Sequence, residues 1–170
     1  MAKIATLITN EFEDSEFTVP RKEFEHTGHE VITIEKESGV EVTGKKGTSI
    51  TVDRGIDDVK PEDFDALLLP GGFSPDILRA DDRFVTFTKA FMDDKKPVFA
   101  ICHGPQLLIT AKALEGRDAT GFKSIKVDME YAGAAYVDKE VVVCQNQLVT
   151  SRTPDDLPAF NREAVKLLNK

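Results

Sequence analysis

The chain has 170 residues, 41% of them apolar, which in a single domain spanning 1–170 suffices to bury about 70% of the surface an unfolded chain exposes, with no disulfide or metal staple. Thirty acidic residues against 22 basic ones leave a net charge of −8, which favours solubility and argues against nucleic-acid binding, where a basic patch is needed. No apolar run approaches the roughly 18 residues of a membrane span. The opening Met1–Ile8 is too short for a signal peptide, so the expected compartment is a reducing cytoplasm, where the two cysteines are free thiols unless catalytic or redox-active.

In chain order, residues 3–9 read as a buried strand and 14–26 as a helix ending at Gly28, with Pro20 an awkward guest inside it. Residues 29–35 form a second strand. Residues 40–52 alternate around Gly44 and Gly47, which predicts a hairpin excursion. Residues 66–69 are a third core strand, broken by Pro70-Gly71-Gly72. Residues 82–94 are a helix whose Phe84, Phe87 and Phe91 make one apolar face. A fourth core strand at 97–101 runs into a helix at 105–114. A short helix is expected at 124–132, then strands at 140–144 and 147–151 joined at Gln145-Asn146, and a closing helix at 154–168. Strands alternating with helices predict an α/β fold with a mostly parallel sheet covered on both faces, and a site at the C-terminal ends of its strands.

The most informative stretch is Ala100-Ile101-Cys102-His103-Gly104-Pro105-Gln106. A buried strand passes directly into a helix with a cysteine at the junction, the layout of a nucleophile elbow. Pro105 suits the first helical turn. A thiol there faces free N–H groups and the positive end of a helix, both of which favour thiolate. An inert buried cysteine is the alternative for Cys102, and it is the preferred reading for Cys144, which ends an apolar run. His103 is a candidate base, although adjacent positions on a helix do not face each other. His26 and His29 have no third ligand nearby, so no metal site is expected. Gly71 and Gly72 follow a core strand and can expose backbone N–H groups to an oxyanion. They lack the spacing of a nucleotide-binding loop. Asp76, in Ser74-Pro75-Asp76, reads equally as a helix cap, and the acids of Asn10-Glu11-Phe12-Glu13-Asp14 as capping residues.

Four stretches, in order and spanning nearly the whole chain, resemble the PfpI family of intracellular proteases and stress proteins, within the class I glutamine amidotransferase-like superfamily. They are Asn10-Glu11-Phe12-Glu13-Asp14, Leu69-Pro70-Gly71-Gly72, Ala100 to Gln106, and Val149-Thr150-Ser151-Arg152-Thr153-Pro154-Asp155-Asp156-Leu157. The resemblance implies a flavodoxin-like three-layer sandwich with Cys102 as nucleophile and Glu13 against the thiol. It also implies an anion pocket of backbone N–H groups near Gly71, Gly72 and His103. Asp76 from a neighbouring subunit would orient His103, so that a homodimer or a dimer-based hexamer would complete the site. Phe122 stands where some members carry a tyrosine, and it cannot donate a hydrogen bond. A protonated Glu13 would donate to the thiolate, whereas an ionised one would raise the thiol pKa.

Three activities compete. In the first, Cys102 attacks a small reactive aldehyde such as methylglyoxal, or its adducts, forming a hemithioacetal. Glu13 then moves a proton between adjacent carbons, as in a glyoxalase or deglycase. The second is a cysteine peptidase or amidase using Cys102, His103 and Asp76. The third is a redox-sensing stress protein or chaperone without turnover, since a reactive thiol is readily oxidised. No cofactor, metal, membrane or nucleic-acid partner is expected for any of them.

Overall fold

The computed structural model describes residues 1–170. Seven strands form the central sheet in the order β10-β11-β7-β6-β1-β2-β5. They are β1 (Lys3–Leu7), β2 (Glu30–Glu35), β5 (Arg54–Gly55), β6 (Ala66–Leu69), β7 (Val98–Ile101), β10 (Val142–Cys144) and β11 (Leu148–Ser151). All neighbours are parallel except β10, which runs antiparallel to β11. The predicted excursion is the antiparallel hairpin of β3 (Glu41–Thr43) and β4 (Ser49–Thr51). A two-residue parallel pair, β8 (Asp118–Ala119) with β9 (Ala135–Tyr136), lies apart from the main sheet.

The period-two alternation of the strands divides the core into two. Ile4, Ala66, Leu68, Phe99, Ile101 and Val149 face one side. There they meet Phe17 and Phe24 of α1 (Asp14–His26) and Phe160, Ala164 and Leu167 of α6 (Leu157–Leu168). Ala5, Leu7, Leu67, Leu69, Val98 and Ala100 face the other side. They meet Phe84, Phe87 and Phe91 of α3 (Asp82–Asp93) and Leu107 and Leu108 of α4 (Pro105–Thr110). Helices therefore cover both faces of strands that are apolar on both faces. This is the flavodoxin-like three-layer α/β fold. No helix is long and apolar enough to cross a membrane.

Several boundaries differ from the predicted ones for local reasons. The helix α1 runs through the buried Pro20 to His26, because a proline removes one backbone bond while its packing remains. The helix α4 stops at Thr110 rather than 114, where Lys112 takes up a left-handed backbone at φ 56°. Gln145 and Asn146 both have φ of 53°, the paired left-handed geometry of a tight hairpin turn. The short α2 (Ser74–Leu78) has no periodic pattern to announce it. The predicted 124–132 helix divides into a 3₁₀ turn at Lys123–Ile125 and α5 (Lys126–Tyr131).

Candidate active site

The strand β7 delivers Cys102 to a bend in which its own φ is +61°. That conformation costs a non-glycine residue roughly 1–2 kcal/mol. It is enforced on both sides. The Cys102 N–H donates to the Ser151 carbonyl at 3.0 Å, and its carbonyl accepts from Phe122 N at 2.8 Å. Gly104 closes the bend by donating to the Ile101 carbonyl at 2.8 Å. A side chain at Gly104 would run into the carbonyl oxygen of Leu69, so the neighbouring strand β6 demands glycine there.

The loops after β1 and β6 are laced together over this bend. Phe12 and Gly72 form an isolated antiparallel bridge, Phe73 N donates to the Glu11 carbonyl at 2.8 Å, and Glu13 N to the Gly71 carbonyl at 3.1 Å. Gly72, at φ 79°, leaves no room for a Cβ against the backbone of Glu11 to Glu13. The result is a cavity of about 500 Å³ lined by Glu13, Glu16, Lys45, Asp76, Cys102 and His103 among others. Cys102 is only 7% exposed, so its sulfur is reached through this cavity.

The carboxyl beside the thiol is that of Glu16. Its side chain is fully buried, its Oε1 accepts from Gly71 N at 2.9 Å, its Oε2 has no hydrogen-bond partner, and with Cys102 it flanks Gly71, close enough for each group to shift the other's pKa. Burial, reinforced by the charge of Glu13, pushes Glu16 up to about 8 despite the bond from Gly71. Glu13 caps α1 one turn earlier and lines the same cavity, but its carboxylate is bridged by Lys46 at 2.9 Å and Lys45 at 3.4 Å. The resemblance-based placement of Glu13 against the thiol therefore shifts by one helical turn. The signal for Glu16 was present in the sequence. Glu16, Pro20 and Phe24 are spaced by four and are all buried, so an acid stands in the apolar stripe of an amphipathic helix.

Burial and the charge of an ionised Glu16 push the Cys102 thiol up to about 12, against the pull of backbone N–H groups from Gly72 and His103. The low thiol pKa expected from a helix N-terminus is not what this environment imposes, since α4 has only six residues and the site is desolvated. When Glu16 keeps its proton, the repulsive part of that shift vanishes and the two N–H groups remain. Both N–H groups favour negative charge on the sulfur. The Gly71 N–H, also expected in the anion pocket, is given to Glu16.

The elbow brings adjacent residues together after all. His103 Nδ1 lies 3.3 Å from the Cys102 sulfur. Its Nε2 is 3.1 Å from Ser124 Oγ, and its ring stacks on Phe122 with centroids 4.9 Å apart. Burial and then the Lys45 charge lower the His103 pKa, opposed by Asp76, so the imidazole is neutral at pH 7. Within one chain Asp76 lines the same cavity and acts on His103 through its charge, while the hydrogen-bond partner of Nε2 is Ser124. A tyrosine hydroxyl does come close to the Phe122 segment, since Tyr136 donates to the Gly121 carbonyl at 2.7 Å. Cys144 is buried at the sheet edge, 3.8 Å from an Arg117 guanidinium nitrogen. No three His, Cys, Asp or Glu side chains converge as metal ligands.

Residues 2–167 match the profile of the DJ-1/PfpI family. The chain is 72% identical to General stress protein 18 of Bacillus subtilis over 169 residues, covering 99% of this chain and 98% of that protein. It is 66% identical to Protein/nucleic acid deglycase 2 of Escherichia coli, covering 98% and 97%. Among solved structures it superimposes, with a TM-score of 0.96 and 38% identity, on a two-domain protein of Anabaena variabilis that has DJ-1/ThiJ/PfpI-like and ferritin-like domains. That match covers 99% of this chain and 48% of the other, about half its length. With a cysteine at the elbow of this fold and relatives of this closeness, the chain belongs to the DJ-1/PfpI family, as a cysteine-nucleophile enzyme.

Proposed function

We propose that the protein acts on small reactive dicarbonyls such as methylglyoxal, or on their adducts, through a hemithioacetal on Cys102. The observation that carries this reading is the buried Glu16 carboxyl against the thiol, poised to exchange a proton near neutral pH. The Cys102 sulfur adds to the aldehyde carbon. Its proton passes through Glu16 to the carbonyl oxygen, and the oxygen's developing charge is met by the N–H groups of Gly72 and His103. Glu16 carboxylate then removes the proton from the former aldehyde carbon, giving an enediolate; the hydroxyl proton of the thiol-bearing carbon passes to the former ketone oxygen, and Glu16 returns its proton to the adjacent carbon, leaving a 2-hydroxyacyl thioester on Cys102. Water, deprotonated by neutral His103, hydrolyses that thioester. The products are a 2-hydroxy acid and the free thiol, so methylglyoxal plus water gives lactate. The name of the Escherichia coli relative, a deglycase, supports dicarbonyl adducts as substrates.

The deciding experiment follows methylglyoxal loss and lactate formation by freshly reduced protein without added thiol. Lactate is expected from wild type and from Glu13→Gln, none from Cys102→Ala, and a loss of at least about 100-fold from Glu16→Gln, as general acid–base groups contribute. Absence of lactate from wild type with Cys102 shown to be reduced refutes the reading. The 3.3 Å approach of His103 Nδ1 to the sulfur favours a second one, a peptidase or amidase in which His103 takes the thiol proton. A peptide ester in single turnover tests it by acylation of Cys102.

A further inference from the structure

The His103 ring is held at both of its nitrogens. Nδ1 lies 3.3 Å from the Cys102 sulfur, and Nε2 lies 3.1 Å from Ser124 Oγ. A neutral imidazole carries one ring proton. For Nδ1 to take a proton beside the sulfur it must be bare. The ring proton then sits on Nε2 and needs an acceptor, and Ser124 Oγ is the group that stands there.

Ser124 is placed by the same loop that fixes the elbow. Phe122 N donates to the Cys102 carbonyl at 2.8 Å, and the Phe122 carbonyl accepts from Ile125 N at 3.0 Å. Ile125 is buried in the core. The serine between these anchors sits in the 3₁₀ turn Lys123–Ile125, while the Phe122 ring stacks on the imidazole at an interplanar angle of 25°. Burial and the Lys45 charge both oppose an imidazolium, and the Asp76 charge favours one. A hydroxyl accepting from Nε2–H adds to the side of the cation at the moment it forms.

We propose that Ser124 is the positioning residue of His103, the third member of a Cys102–His103–Ser124 series contained in one chain. Its Oγ accepts from Nε2–H and keeps Nδ1 bare for the reacting water. The assignment rests on the reading above, in which His103 deprotonates the water that hydrolyses the thioester. It gives Ser124 the task that the family resemblance gives to Asp76 of a neighbouring subunit. As the water oxygen bonds to the acyl carbon, one O–H bond breaks and its proton goes to Nδ1. The C–S bond then breaks with its electron pair left on sulfur, and Nδ1 returns the proton to the sulfur. Nε2–H stays bonded to Ser124 throughout, and the product acid loses its own proton to solvent.

The test separates hydrolysis from the dicarbonyl chemistry. Wild type, Ser124→Ala and Ser124→Thr are acetylated on Cys102 with p-nitrophenyl acetate, and loss of the acetyl group is followed by mass spectrometry as a function of pH. Loss of a hydrogen bond to a charged group predicts deacetylation about tenfold slower in Ser124→Ala. Acetylation, whose proton leaves through Glu16, keeps its rate, and Ser124→Thr, which retains the hydroxyl, deacetylates like wild type. Without its acceptor the imidazolium is less stable, so the pH at which deacetylation half-rises moves down in Ser124→Ala, which a change in packing alone would not produce. Equal deacetylation in wild type and Ser124→Ala, an unmoved half-rise, a threonine variant as slow as alanine, or acetylation slowed as much as deacetylation overturns the assignment. Wild type that deacetylates but forms no lactate from methylglyoxal refutes the dicarbonyl reading, and these same rates still decide the role of Ser124.

Discussion

Replacing Glu16 with glutamine should stabilise the protein at alkaline pH while removing its activity. Glutamine keeps an acceptor for the Gly71 N–H, bonded at 2.9 Å in wild type, and fills the same volume, so the main change is loss of the ionisable group. In the folded chain Glu16 holds its proton up to about 8, while unfolded it releases it near 4.5. Below 4.5 both states are protonated and burial of the group carries no ionisation cost. Between 4.5 and about 8 the folded state binds the extra proton, so stability falls as pH rises, by up to roughly 1.4 kcal/mol per pH unit. Across that window the ceiling is about 5 kcal/mol. Cys102, raised from 9.0 to about 12, has its own effect only above pH 9. Urea unfolding of both proteins at pH 5, 7 and 8.5 reads the effect. The stability gap in favour of the variant should be small at pH 5 and grow by several kcal/mol at 8.5. A gap that does not change with pH would refute the argument that burial holds a proton on Glu16.

The rate should carry the same signature. The Glu16–Cys102 pair must have lost one of its two protons to act, so kcat/KM should climb through about pH 8, and Glu16→Gln should abolish that inflection. A rise centred near 4.5 would contradict it. Asp14→Ala should cost about 2–3 kcal/mol, because buried Asp14 accepts from Lys46 N at 2.9 Å and Thr48 N at 2.8 Å and so docks the β3–β4 hairpin beside the site. Faster amide exchange confined to residues 44–48 would show the hairpin released. Cys102→Gly should be at least as stable as Cys102→Ala, reversing the usual order, since glycine relieves about 1 kcal/mol of strain at φ +61°. Thermal unfolding of the two inactive variants measures it, and a clearly less stable glycine variant would show that the elbow is unstrained.

Most of the scaffold was legible because it is local. The apolar blocks at 66–69 and 98–101 are buried on both faces, and such runs have few alternatives to a central parallel strand. The helix from Asp14 to His26 was readable to the residue. The elbow at Cys102 followed from a strand, a cysteine, a glycine and a proline in succession. Less legible were β5, β8 and β9. Each has two residues and exists because a distant segment offers a bonding partner.

The acid at the thiol shows where the division falls. The sequence by itself determined that two carboxylates, Glu13 and Glu16, stand one turn apart at the start of a helix that follows a core strand. Only the tertiary structure decided between them. The hairpin carrying Lys45 and Lys46 lies against Glu13 and neutralises it, while the Gly71 turn admits Glu16 to a buried space beside the sulfur. A helix places both side chains by its own periodicity, but whether each meets water, a lysine or a thiol depends on chain segments more than 30 residues away. The same holds for the thiol itself. Its position at a strand-to-helix bend was written locally, whereas its elevated pKa comes from burial and from Glu16, both of which are products of packing.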